Sequence, residues 1–214
     1  MAIEVRSSKL HWNYFLALES DLVRAARFIE FREENFATYS IELARLLMSA
    51  AAEVDVVAKI VCQQLSPSKR PKSIGDYAAI LLGAKPSLRD VAVLIPPFGL
   101  TLKPWSSWTH TKPPVWWSAN NKVKHQRNTH FSAANLQNAL NAVAALYAIT
   151  VFHYALEKQL RNAAVSPRAK VRNFLDDDQG RQYLRNLLQP QPQLFVLRSR
   201  TGDVAEYLGH GGLM

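Results

Sequence analysis

The apolar residues in the first third of the chain recur at the spacing of one helical face. Between Leu10 and Ile29 they lie three or four positions apart, after a Ser7-Ser8 pair that can cap a helix. From Thr38 to about Leu65 the chain has no Pro or Gly and is rich in Leu, Ala, Met, Glu and Arg, which favour helix. The pattern predicts two helices, the second about 40 Å long.

The next part of the chain predicts shorter elements. Residues 66–72, Ser-Pro-Ser-Lys-Arg-Pro-Lys, have the composition of a solvated basic linker. Ser73–Leu82 and Ser87–Ile95 each begin at a serine that can cap a helix, and Gly83-Ala-Lys-Pro separates them. The sequence therefore predicts a linker followed by two short helices.

Pro, Gly, Ser and Trp are concentrated between Pro96 and Pro114, which is typical of an ordered loop. A short strand pair is predicted around Val93 and Leu100–Leu102. Pro113-Pro114 directly precedes Val115-Trp-Trp, and helices often carry proline in their first turn. A further helix is therefore predicted to begin here.

The last long apolar stretch runs from Ser132 to about Asn162 without Pro or Gly and predicts a strongly buried helix. The more polar tail contains a predicted helix at Asp178–Leu188 and an apolar run at Leu194–Leu197. These elements predict an all-α fold, a bundle of two or more long helices crossed by shorter ones. The bundle would cover residues 1–164, and residues 165–214 would form a small irregular C-terminal appendage.

Cysteine content and apolar stretches indicate a compartment. The single cysteine, Cys62, cannot form an internal disulfide, which is typical of a reducing environment. The amino terminus has no basic region ahead of an apolar run, so no signal peptide is predicted. The longest apolar stretch, Ala142–Phe152, is interrupted at Thr150 and is too short to span a membrane. We expect a cytoplasmic protein that does not engage a membrane.

The distribution of charge points to the middle of the chain. The 26 Lys and Arg residues exceed the 17 Asp and Glu residues, and the net charge of +9 attracts polyanions. No acidic residue lies between Asp90 and Glu157, whereas four of the five tryptophans and several cations do. A carboxylate-free segment with cations and aromatic rings is typical of a phosphate-binding surface. The alternative is that these rings fill the core.

The densest polar cluster of this segment runs from Asn120 to His130. On a helix, Asn121, Lys124 and His125 share one side, so their tips can converge on one ligand. An imidazole beside fixed cations is suited to moving a proton near a phosphate, because the cations stabilise charge that builds on its oxygens. The alternative is structural: Asn121 and His125 would hold the tryptophan loop against the bundle through backbone hydrogen bonds.

The same cluster resembles a known family. Trp116-Trp-Ser-Ala-Asn-Asn-Lys-Val-Lys-His-Gln-Arg127 is similar to the W-W-x-x-x-N-x-V-K-H-x-R signature of an uncharacterised bacterial family near the HEPN superfamily. A long helix pair, a helix with Asn and His four apart, and a long closing helix also resemble HEPN proteins in outline. Those proteins are mostly α-helical bundles, often dimeric. Many are metal-independent ribonucleases of toxin, phage-defence and CRISPR systems, while others only bind nucleotides or partner proteins.

The resemblance implies a site around Asn121 and His125. HEPN ribonucleases carry an Arg, often followed by Asn, upstream of a His, and here Asn120 stands in the position of that Arg. An asparagine cannot replace the bidentate phosphate clamp of a guanidinium. A metal-independent ribonuclease activity would therefore be weak or lost. If it persists, His125 is the general acid or base, and Lys124 and Arg127 stabilise the developing charge.

Two acidic residues interrupt the apolar run of the second predicted helix. Asp55 and Lys59 lie four apart with the acid first, a favourable helical pair. Glu53 lies on another side of the helix, and a buried acid usually has a partner because unpaired burial is costly. An acidic residue approaches the histidine in HEPN proteins, so the resemblance implies that Glu53 orients His125 or pairs with a nearby cation. That cation would be Lys124 or Arg127.

No metal or cofactor is predicted. No carboxylate or cysteine lies among His110, His125 and His130, and there is no Gly-rich phosphate loop, nucleophile elbow or paired cysteine motif. The HEPN resemblance implies, as the leading function, an RNA- or nucleotide-binding protein of a defence or toxin-antitoxin type system. The nucleic-acid-binding residues would be Lys122, Lys124, Arg127, Trp116 and Trp117. The alternative is a non-enzymatic dimeric interaction protein, and the resemblance implies a homodimer in either case.

Overall fold

The computed structural model of the chain describes residues 8–165 and 178–198, and these residues are mostly helical. The helices form a bundle in which two members are much longer than the others, as the sequence predicts. The helices are α1 Leu10–Ala25, α2 Ile41–Leu65, α3 Ile74–Ala84, α4 Val115–His130, α5 Leu136–Val165 and α6 Asp178–Leu187.

A small antiparallel sheet accompanies the bundle and contains the strands β1 Ala92–Ile95, β2 Leu100–Leu102 and β3 Val196–Arg198. The strand order in the sheet is β2-β1-β3. Val93 is paired with Leu102, and Ile95 with Leu100, which confirms the predicted strand pair. The all-α prediction therefore holds for the bundle and omits the third strand.

The helix predicted for Ser87–Ile95 is wrong. Pro86–Asp90 forms a 3₁₀ turn, and β1 follows it. A short run of Val, Leu and Ile fits a strand as well as a helix, so neighbouring strands decide between them. Here Val93 has a partner on each side, Leu102 in β2 and Leu197 in β3.

Serine side chains determine where two helices begin. The Ser40 hydroxyl accepts a hydrogen bond from the backbone N–H of Leu43 at 3.1 Å, so α2 begins just after this cap rather than at Thr38. Ser73 and Asp76 form a reciprocal capping box at the start of α3. The predicted starts of these helices are therefore right to within a few residues.

Helix α5 forms the centre of the core. Most side chains between Leu136 and Leu156 are buried, and α5 packs mainly along the apolar side of α2. The stretch Leu136–Lys158 is long and apolar enough to cross a membrane, but 89% of its most apolar window is buried inside the protein. The core helix of a water-soluble bundle meets the same criteria, so this helix is weak evidence for a membrane span.

The described part of the predicted C-terminal appendage packs into the same core. Leu184 and Phe195 are buried with the bundle residues, and β3 is paired with β1. The Glu19 carboxylate in α1 accepts hydrogen bonds from the backbone N–H groups of residues 193–195 at 2.8 to 3.2 Å. This segment is therefore joined to the bundle, while the boundary after residue 164 stays a prediction.

Candidate nucleic-acid interface

Helix α4 has one side against α2 and α5. Its buried residues Trp116, Ala119, Asn120 and Val123 follow the spacing of one helical side, so the other positions lie toward solvent. The backbone departs from helical geometry at Gln126, where φ is −141° and ψ is 43°. Helical spacing therefore relates side chains only up to this break.

The polar and charged α4 residues predicted to form the site, Asn121, Lys122, Lys124, His125 and Arg127, are all exposed. Among the residues that the structure describes, none forms an ion pair or hydrogen bond with the side chains of Lys122, Lys124 or Arg127. We call the exposed residues Lys122, Lys124, His125 and Arg127 the α4 basic surface, in which Lys122 and Lys124, two positions apart, lie toward opposite edges of the solvent side of the helix. Its charges are open to solvent and available to an external anion.

Asn121, Lys124 and His125 lie in the regular part of α4, so their spacing puts them on one side of the helix. The Asn121 side-chain oxygen accepts a long hydrogen bond of 3.5 Å from the amide of Asn120. Since Asn121 and His125 are exposed, the alternative in which both are enclosed and hold the tryptophan loop does not fit the structure.

Asn120, in the position of the HEPN arginine, lies on the buried side of α4. It is 8% exposed, whereas Lys124 one turn later is exposed. An arginine in this orientation would begin beneath the surface rather than beside a bound phosphate. Both the residue type and its burial therefore argue against a phosphate clamp at this position.

The tryptophans divide between core and surface. Trp116 is 1% exposed, and its indole N–H donates to the carbonyl oxygen of Pro104 at 2.8 Å. The prediction that Trp116 is a nucleic-acid-binding residue is therefore wrong, because the ring is enclosed. The alternative interpretation, that these rings fill the core, is confirmed for Trp105, Trp108 and Trp116. Trp117 is half-buried and meets Trp116 edge to face, with 5.6 Å between ring centroids.

Glu53 has a partner on a different helix from the one predicted. Its Oε1 lies 2.6 Å from Nδ1 of His11, and both side chains are 13% exposed. The predicted pairing with His125, Lys124 or Arg127 is wrong, because Glu53 lies on the side of α2 that α1 covers. A direct catalytic role for Glu53 at the α4 basic surface loses its geometric basis.

Asp55 forms the predicted pair with Lys59. It also accepts a hydrogen bond of 2.6 Å from the hydroxyl of Tyr77 in α3. Burial raises the pKa of Tyr77, and the bond to Asp55 adds to this. The group ties α2 to α3 and has a structural role.

A second polar cluster, between α1, α2 and α5, was not predicted. The rings of His11 and His153 meet edge to face, with centroids 5.6 Å apart. His153 is 7% exposed, and its Nδ1 has no hydrogen-bond partner among the described residues. Burial lowers the pKa of His153, nearby Glu157 opposes this, and His11 adds to it. The signal in the sequence was a histidine on each of two apolar helical faces.

Metal-ligating and nucleophilic side chains do not gather elsewhere in the described ranges. No group of three or more His, Cys, Asp or Glu side chains in residues 8–165 and 178–198 could hold a metal ion. Cys62 is buried, and burial raises the pKa of its thiol to about 12. The thiol is therefore a small apolar group rather than a nucleophile.

Comparisons with known protein families, with curated proteins and with solved structures found no match. The HEPN resemblance therefore remains a prediction carried by the residues of α4. Function has to be argued from the geometry and charge of this helix.

Proposed function

We propose that this chain is a HEPN-like protein that binds RNA or a nucleotide through the α4 basic surface. The observation that carries the proposal is the exposure of Lys122, Lys124 and Arg127 without an ion-pair partner among the described residues. Cations of this kind exchange small counterions for phosphates, and this exchange supplies most of the affinity in sequence-independent binding. The charge of +9 and the acid-free segment around α4 support the same conclusion.

Binding is better supported than catalysis. An efficient general acid or base is held in position by a hydrogen-bond partner. His125 is exposed and has none among the residues that the structure describes, and the acid expected to orient it is paired with His11. Any ribonuclease activity would therefore be weak, and its test is cleavage of labelled RNA in EDTA with His125→Ala as the control.

A second candidate function is a non-enzymatic interaction protein, which the resemblance would make dimeric. Leu10 and Tyr14 are exposed apolar residues four apart on α1, and Val56 is exposed on α2. Leu10 and Tyr14 lie on one side of α1, and adjacent exposed apolar side chains are typical of a contact surface. Sedimentation velocity of the wild-type chain and of Leu10→Ser/Tyr14→Ser tests this candidate independently of RNA.

The proposal predicts salt-sensitive RNA binding that depends on α4. The experiment is fluorescence anisotropy of a labelled RNA at several salt concentrations, comparing wild type with Lys122→Gln/Lys124→Gln. Loss of two phosphate contacts to a single strand should make the negative slope of log affinity against log salt shallower by about 1.4. The matched control is Lys69→Gln/Lys72→Gln, which removes the same charge from the linker before α3. Equal weakening by both variants, or no salt-sensitive binding by wild type, contradicts the proposal.

A further inference from the structure

We infer that the ring of Trp117 stacks on an unpaired base, so that the α4 basic surface takes single-stranded rather than duplex RNA. The inference rests on the proposed function, and it assigns to Trp117 the preference of the α4 basic surface for single-stranded over duplex RNA. It follows from the position of this ring, its packing, and its difference from the other tryptophans near α4.

The position of Trp117 places it beside the cations. Trp117, Asn121 and Lys124 are spaced i, i+4 and i+7 within the regular part of α4, so they line one edge of its solvent side. Seven residues of helix span about 10 Å. A base on the indole would therefore lie close enough for Lys124 to reach a phosphate of the same strand.

The packing of Trp117 holds the ring in place. Trp117 meets Trp116 edge to face, with an interplanar angle of 73°, and is itself only half-buried. Trp116 is fixed in turn by its hydrogen bond to Pro104 and by the Trp105 ring at 5.5 Å. The partly exposed Trp117 ring therefore leaves some of its surface to a ligand, and because its packing already restrains it, the ring loses little conformational entropy on binding.

The other tryptophans near α4 cannot perform this role. Trp105, Trp108 and Trp116 are at most 1% exposed, so none of them offers a ring face to a base. The surface therefore carries cations at several positions and one accessible indole. Such a combination favours a strand with unpaired bases, because aromatic rings stack on bases that are not already stacked in a duplex.

The experiment compares one labelled 12-nucleotide RNA, single-stranded or annealed to its complement, in the anisotropy assay. The variants are Trp117→Ala and Trp117→Phe, with Phe28→Ala as an exposed aromatic control on another part of the surface. We expect Trp117→Ala to weaken single-strand binding roughly 5- to 150-fold, the usual range for a stacked base. Trp117→Phe should retain part of the affinity, and duplex binding should be weaker than single-strand binding and insensitive to either change.

A second readout keeps the test valid if Trp117→Ala unfolds. RNA should quench the tryptophan fluorescence of the wild-type protein, and Trp117→Phe should lose most of this quenching, because the other described tryptophans are buried. The inference is overturned if quenching persists in Trp117→Phe, or if duplex and single strand bind equally. If binding depends on Lys122 and Lys124 but not on Trp117, the stacking inference is wrong and the proposed function stands. If no salt-sensitive binding occurs, the proposed function fails as well.

Discussion

His11 and Glu53 join α1 to α2, with Nδ1 of the imidazole 2.6 Å from Oε1 of the carboxylate. The contact lies beside His153 of α5, so three helices meet at one polar cluster. A hydrogen bond to a charged group contributes more to stability than one between neutral groups. The pair therefore positions the first helix and leaves Glu53 unavailable to α4.

Glu53→Ala should destabilise the fold without changing RNA binding. The substitution leaves the mostly buried His11 without its acceptor, which should lower the free energy of unfolding by about 1–3 kcal/mol. The measurement is urea unfolding, with RNA anisotropy of the folded variant beside it. Glu33→Ala, at an exposed position in the turn after α1, is the control and should change little. A loss of RNA affinity in folded Glu53→Ala would restore a role for Glu53 at the interface.

His153 should make the fold less stable in mild acid. Burial lowers its pKa below the ordinary value of 6.5, so the unfolded chain takes up a proton that the folded chain resists. The stability that comes from burying the neutral imidazole of His153 is complete above pH 6.5 and is lost as the pH falls toward the folded pKa. Urea unfolding at pH 5 to 8 should show a smaller loss of stability in His153→Phe than in wild type. Parallel curves for the two proteins would contradict this, and His110→Asn, at an exposed position, is the matched control.

Glu19 should make the fold less stable as the pH rises, which is the opposite of the effect of His153. Burial raises its pKa above the ordinary value of 4.5, although three backbone N–H groups oppose the shift. The folded chain therefore keeps a proton that the unfolded chain has released, and stability falls as the pH rises from 4.5 through the folded pKa. Glu19→Gln cannot titrate, so its free energy of unfolding should rise relative to wild type between pH 4.5 and 7. A constant or falling difference in urea unfolding would show that the charged carboxylate is the favoured form.

The local parts of this structure were predictable from the sequence, whereas contacts between distant segments were not. A run of helix-forming residues without Pro or Gly located α2, the serine at Ser73 located the start of α3, and helical spacing put Asn121 and Lys124 on one side of α4. The sequence predicted the pairing of β1 with β2 but not the pairing of β1 with β3, because β3 lies a hundred residues further along the chain. The burial of Trp116 depends likewise on the loop that packs over it, so its residue type alone could not distinguish core from surface.

Trp116→Ala and Trp117→Ala should separate stability from binding. Trp116 is fully enclosed, so its truncation should cost about 3–5 kcal/mol of unfolding free energy. Trp117 is half-buried, so its truncation should cost less stability and more RNA affinity. Urea unfolding and anisotropy on both variants measure the two effects, at a temperature where each variant is folded. If Trp116→Ala weakens RNA binding in the folded state as much as Trp117→Ala does, the ring of Trp117 depends on its neighbour for its position, and the edge-to-face contact is part of the binding surface.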